Sequence, residues 1–172
     1  MKNIIIAVVI IVVIIGGFVY FNSKKPEPYS QPQSQTTSPE STTSAQNVPG
    51  YQGKVIAGKS APFLEFNKAD YDKALAEGKI IVLDFYANWC PICRAEAPAI
   101  NEGFNSLTSD KIIGFRVNFK DSDTDKNEEQ LAKELKIPYQ HTKVILKNGK
   151  EFSRSLDSWD RGAFDEAIAK VL

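Results

Sequence analysis

Ile80-Ile81-Val82-Leu83-Asp84-Phe85-Tyr86-Ala87-Asn88-Trp89-Cys90-Pro91-Ile92-Cys93 is the stretch around which the rest of the chain is organised. Its first half is a nearly continuous apolar run, the pattern of a strand covered on both faces in a parallel sheet. Asp84 is the one charge in that run. The second half starts a helix, because Pro91 suits the first helical turn, where its missing N–H costs nothing. Cys90 therefore falls where a buried strand ends and a helix begins. The free N–H groups of that turn and the helix dipole stabilise a thiolate there. Cys93, one turn further on, is within reach of a mixed disulfide formed at Cys90. The expected roles are nucleophile for Cys90 and resolving thiol for Cys93.

These are the only 2 cysteines among 172 residues, which excludes a disulfide-dense scaffold. So short a loop gains little from closure, so the pair points to chemistry or metal before architecture. The formal net charge is +0, and no basic excess signals a nucleic-acid partner.

Working outward, residues 63–66 read as a short strand and 69–77 as an amphipathic helix closed by Gly78. A helix is expected over 91–107 and a strand over 112–118. A further helix near 127–136 is started by Asp125 with Glu128 three residues on, a capping-box spacing. Residues 142–146 and 151–155 flank Lys147-Asn148-Gly149-Lys150 and read as a hairpin turning at Asn-Gly. Residues 160–172 form a last amphipathic helix. Strand–helix alternation followed by a hairpin and a helix implies an α/β sandwich with a mixed central sheet.

Two segments precede this domain. Residues 4–21 are unbroken apolar sequence, reaching about 27 Å as a helix, close to the hydrocarbon thickness of a bilayer. Tyr20, Phe21, Lys24 and Lys25 follow as interfacial groups, and no small-x-small cleavage site appears. Residues 1–21 are thus expected to be an uncleaved transmembrane anchor. Lys2 and the amino terminus balance Lys24 and Lys25, so charge assigns no orientation. By association with other anchored, stalked domains, the C-terminal part is expected outside the cytoplasm. Residues 22–53, rich in Ser, Thr, Gln and Pro, offer little to bury and read as a disordered linker. Residues 54–172 form the folded domain.

The block Asp84–Cys93, with Pro98 five residues later, resembles the central strand, active-site turn and kinked helix of the thioredoxin superfamily; Lys147-Asn148-Gly149 resembles its hairpin turn. The resemblance spans nearly all of 54–172. It implies a thioredoxin fold, with helices on both faces of the mixed sheet. It also implies dithiol–disulfide exchange on protein thiols and disulfides, with no cofactor beyond the redox-active Cys90–Cys93 pair. With the anchor, the chain looks like the tethered TlpA-like members, which implies a membrane redox partner.

Burial should raise the Asp84 pKa and make it a proton acceptor for the resolving thiol, the role a carboxylate has at this position in the family. Arg116 on the next strand is similar in position to the basic residue that accompanies it. The family's cis-proline, facing the dithiol, matches either Pro138 or His141. Counting back from the hairpin favours His141, the only histidine, and makes Pro138 a helix terminator. A histidine there would lower the thiol pKa as imidazolium, or shuttle its proton when neutral. Two thiolates and an imidazole also suit copper, and His141-Thr142 before alternating apolar residues resembles the Sco copper-delivery proteins. Those separate their cysteines by three residues, where here there are two. Asp121-Ser122-Asp123-Thr124-Asp125 fails as a calcium loop, with Lys126 and Ala132 where Gly and Glu are needed.

Overall fold

The computed structural model describes residues 48–172, which lie in one compact unit, Thr43–Leu172. The expected anchor at 1–21 and most of the expected linker fall outside the described residues. Among the described residues no helix is long and apolar enough to cross a membrane.

Among the described residues, six strands and four helices follow one another as β1 (Val55–Ala57), β2 (Phe63–Glu65), α1 (Lys68–Ala76), β3 (Ile80–Tyr86), α2 (Pro91–Ser106), β4 (Ile112–Asn118), α3 (Lys126–Glu134), β5 (Thr142–Lys147), β6 (Lys150–Ser155) and α4 (Arg161–Val171). The sheet order is β1-β2-β4-β3-β5-β6. β2, β4 and β3 run parallel, whereas β1, β5 and β6 pair antiparallel with their neighbours. This is the thioredoxin-type mixed sheet. β3 sits inside it, and its side chains are buried from Ile80 to Phe85.

Alternation along the strands sends two sets of side chains to opposite faces. Leu83, Phe85, Phe115, Val117, Val144 and Leu146 meet residues of α1 and α3 on one side. Val82, Phe63 and Ile145 meet Ile100 and Phe104 of α2 and Phe164 and Ile168 of α4 on the other. The inner strands β3 and β4 therefore bury both of their faces, which is why they read as nearly continuous apolar runs. Asp125 and Glu128 form the reciprocal capping box, and Asn148 and Gly149 take φ of 54° and 71° at the hairpin turn.

Two features differ from the expectation. β1 is an additional edge strand, too short to carry a periodic signal. The boundary expected at residue 54 also lies too late, since the preceding residues are tied to the domain. The backbone N–H groups of Gln52 and Gly53 donate to the buried Asp70 carboxylate at 2.6–2.9 Å, and the Tyr51 hydroxyl donates to Glu77 at 2.8 Å. Val48 and Tyr51 pack against the core. The Asp70 carboxylate needs donors in its buried setting, and the backbone of this segment supplies them.

Candidate active site

β3 ends at Tyr86, and a tight turn returns the Cys90 N–H to the Ala87 carbonyl at 3.0 Å. Cys90 then stands as the N-cap of α2, with an extended backbone (φ −78°, ψ 116°) and Pro91 beginning the helix. Its Sγ accepts the N–H of Cys93 at 3.1 Å. A sulfur thus fills the place of the usual N-cap oxygen, and a thiolate there would receive the same N–H with added charge assistance. Both cysteines are free thiols, and both residues are buried. Burial, followed by the hydrogen bond to Cys90, pushes the Cys93 thiol up to about 12. Cys93 is therefore held protonated at neutral pH, which suits a resolving thiol rather than the initiating nucleophile.

The turn itself is fixed from the β4–α3 loop. The Asn88 N–H donates to Asp121 at 2.8 Å, and its side-chain amide donates to Ser122 and Asp123. The Trp89 indole N–H donates to the Lys120 carbonyl at 3.1 Å. The acidic run at 121–125 thus holds the turn and caps α3, roles that occupy its oxygens in hydrogen bonds within the protein.

His141 lies immediately before β5, and its N–H donates to the Phe85 carbonyl at 2.6 Å. Its φ is 53°, an uncommon conformation for a side chain of this size. No peptide bond among the described residues is cis. One ligand atom each from Cys90, Cys93 and His141 lie within 4.8 Å of one another, the one such cluster of metal-ligating side chains found among the described residues. His141 Nδ1 is buried without a hydrogen-bond partner. Pro138 lies in the connection between α3 and β5, just beyond the helix end.

Asp84 lies on β3 beneath this cluster, and burial pushes its carboxyl up to about 7. Its Oδ1 has no hydrogen-bond partner. It has two basic neighbours in register, Arg116 on β4 and Lys143 on β5. Lys143, rather than the Arg116 nominated from sequence, is the stronger of the two in holding the carboxyl down. The Arg116 guanidinium instead reaches Glu65 at 3.5 Å and lies over the Tyr86 ring at 5.0 Å.

Glu96 and Lys143 were not anticipated from the sequence. They form an ion pair whose side chains are 1% and 0% exposed. A signal for Lys143 did exist. It is the one charge in Thr142-Lys143-Val144-Ile145-Leu146, just as Asp84 is in β3. Around the dithiol the surface is apolar, with Trp89, Ile92 and Tyr139 exposed and the Tyr139 ring 5.1 Å from that of His141.

A buried strand, an N-capping cysteine and a second thiol one turn later define a dithiol oxidoreductase site of the thioredoxin class. The thioredoxin family model matches residues 62–170, and the chain belongs to that family, whose members are thiol–disulfide oxidoreductases. Thioredoxin-T of Drosophila melanogaster is 36% identical over 85 residues, 48% of this chain and 50% of that protein, so the chain spans half its length. Thioredoxin-1 of Saccharomyces cerevisiae is 31% identical over 101 residues, 59% of this chain and 89% of that protein. Among solved structures, a thioredoxin from Nicotiana alata shares the fold with a TM-score of 0.51 at 22% identity, over 67% of this chain and 96% of that one.

Proposed function

We propose that this chain exchanges disulfides with protein substrates through Cys90 and Cys93, from an extracytoplasmic position tethered by residues 4–21. The observation that carries the reading is the Cys90 sulfur at the α2 N-terminus, accepting the Cys93 N–H. In the reducing direction, Cys90 Sγ⁻ attacks one sulfur of a substrate disulfide, and the other sulfur leaves as a thiolate that takes a proton. Cys93 then gives its proton to Asp84 and attacks Cys90 Sγ, releasing the second substrate thiolate. The substrate gains two electrons, and the Cys90–Cys93 disulfide records their loss. The exposed Trp89, Ile92 and Tyr139 supply an apolar docking rim. TlpA-like anchoring rests on the apolar run and the polar segment after it, and implies a membrane redox partner to reset the pair.

The test is reduction of insulin disulfides by residues 48–172 with dithiothreitol as donor. Cys93→Ser should accumulate a Cys90-linked mixed disulfide, and Cys90→Ser should accumulate none. Equal turnover in wild type and both variants would sink the reading. For the tether, a membrane-impermeant maleimide should label the dithiol of the full chain in intact cells; labelling only after lysis would place the domain inside.

A second reading, a Sco-like Cu(I) carrier, is favoured by one observation, the convergence of Cys90, Cys93 and His141 with an unpartnered Nδ1. Two thiolates and an imidazole match the soft-ligand preference of Cu(I). Competitive Cu(I) titration separates the readings: this one requires His141→Ala to weaken binding at least tenfold, and equal affinities would remove it.

A further inference from the structure

The buried Glu96–Lys143 pair exchanges no sulfur, and besides placing Lys143 next to Asp84 it ties α2, which carries the dithiol, to His141 and to the segment leading into α4. Glu96 sits on α2, one turn beyond Cys93. Its Oε2 accepts from Lys143 Nζ and from the Trp159 N–H at 2.9 Å, which joins α2 to the segment leading into α4. Lys143 Nζ also donates to the carbonyl of His141 at 3.0 Å and to that of Asp157 at 3.4 Å. His141 is the residue held at φ 53°, with its imidazole among the two cysteines. A left-handed backbone at a non-glycine residue persists only where its surroundings over-determine it. Here the N–H is held by Phe85 and the carbonyl by Lys143, one bond on each side of the strained residue.

We infer that Lys143, anchored by Glu96, is a positioning residue for exchange: it holds the His141 peptide in the left-handed turn that aims the imidazole at Cys90 and Cys93. The inference rests on the dithiol reading above. A purely structural ion pair in this place would be replaceable, since buried pairs often give way to apolar residues of similar volume without loss of stability. A positioning pair would not be, because no apolar side chain can donate to the His141 carbonyl.

The test is the double variant Lys143→Met/Glu96→Leu, which removes both charges of the pair together, alone and combined with His141→Ala. The readout is the equilibrium constant of the dithiol with glutathione. The double variant is expected to shift that constant about tenfold, equivalent to about 30 mV, in the same direction as His141→Ala. Adding His141→Ala to it should then change little, because both remove the same interaction. An unshifted constant in the folded double variant, or shifts that simply add, overturns the inference. If the double variant does not fold, Lys143→Gln, which keeps a donor for the His141 carbonyl, is compared with Lys143→Met. The inference requires the glutamine variant to lie nearer wild type, and equal shifts in the two overturn it. Glutathione equilibration needs no protein substrate, so wild type that fails to reduce insulin would sink the functional reading and leave this measurement intact.

Discussion

Asp84 has a carboxyl that burial pushes up to about 7 from an ordinary value of 3.8. The folded state therefore binds its proton more tightly than the unfolded chain does. The stability this contributes is fully present below the unfolded value and is lost as pH rises through about 7. Between pH 4 and 8 the loss is on the order of 4 kcal/mol at this one site. Asp84→Asn cannot ionise, so urea unfolding should find it gaining on wild type as pH rises over that range. Parallel stability profiles would contradict the buried-acid account. The exchange rate should also lose its inflection near pH 7 in Asp84→Asn, if Asp84 takes the Cys93 proton. An unchanged profile between pH 6 and 9 would leave Asp84 without a kinetic duty. Asp84 was legible in the sequence because a lone charge in an apolar strand is conspicuous. Lys143 carries the same signal on β5, but its place as the stronger basic neighbour was not legible, because only the antiparallel register of β3 and β5 puts the two side by side.

At the scale of elements, the packing of α2 on α4 depends on Gly103. A Cβ there would lie 2.4 Å from the Phe164 ring, which is fully buried and packs edge-on against Phe104 and Trp159. Two effects oppose each other in Gly103→Ala. Helix propensity favours alanine by about 1 kcal/mol, whereas overpacking a full core costs about 1–3 kcal/mol. Phe164 has no free direction in which to turn, so overpacking should win. The variant should melt several degrees lower, and a higher melting temperature would show that the helices separate cheaply. The element boundaries themselves followed from local chemistry. Asp125 with Glu128 started α3, Pro91 started α2, and Asn148-Gly149 closed the hairpin, each through groups within a few residues of one another. β1 escaped notice because its three residues are a strand only through pairing with β2.

At the scale of the whole molecule, the domain begins earlier than its composition implies. Residues 48–53 read as linker because they end the segment 22–53, which as a whole offers little to bury, yet they supply the donors for Asp70, which is 2% exposed. A chain starting at Lys54 should therefore be less stable than one starting at Val48 by about 1–3 kcal/mol, the cost of an unsatisfied buried acceptor. Matching denaturation midpoints for the two would show that the segment is not part of the fold.

The sequence by itself determined the strand–turn–helix carrying Cys90 and Cys93, the two-sided burial of the sheet and the hairpin. Each of these depends on hydrophobic period, proline and glycine geometry, or spacing within one turn. Only the tertiary structure decided that His141, favoured at this position by counting back from the hairpin, takes a left-handed turn, that Lys143 rather than Arg116 is the stronger cation beside Asp84, and that Glu96 is the buried partner of Lys143. Those relations join residues distant in the chain, and their energies come from desolvation and strand register, which no local pattern encodes.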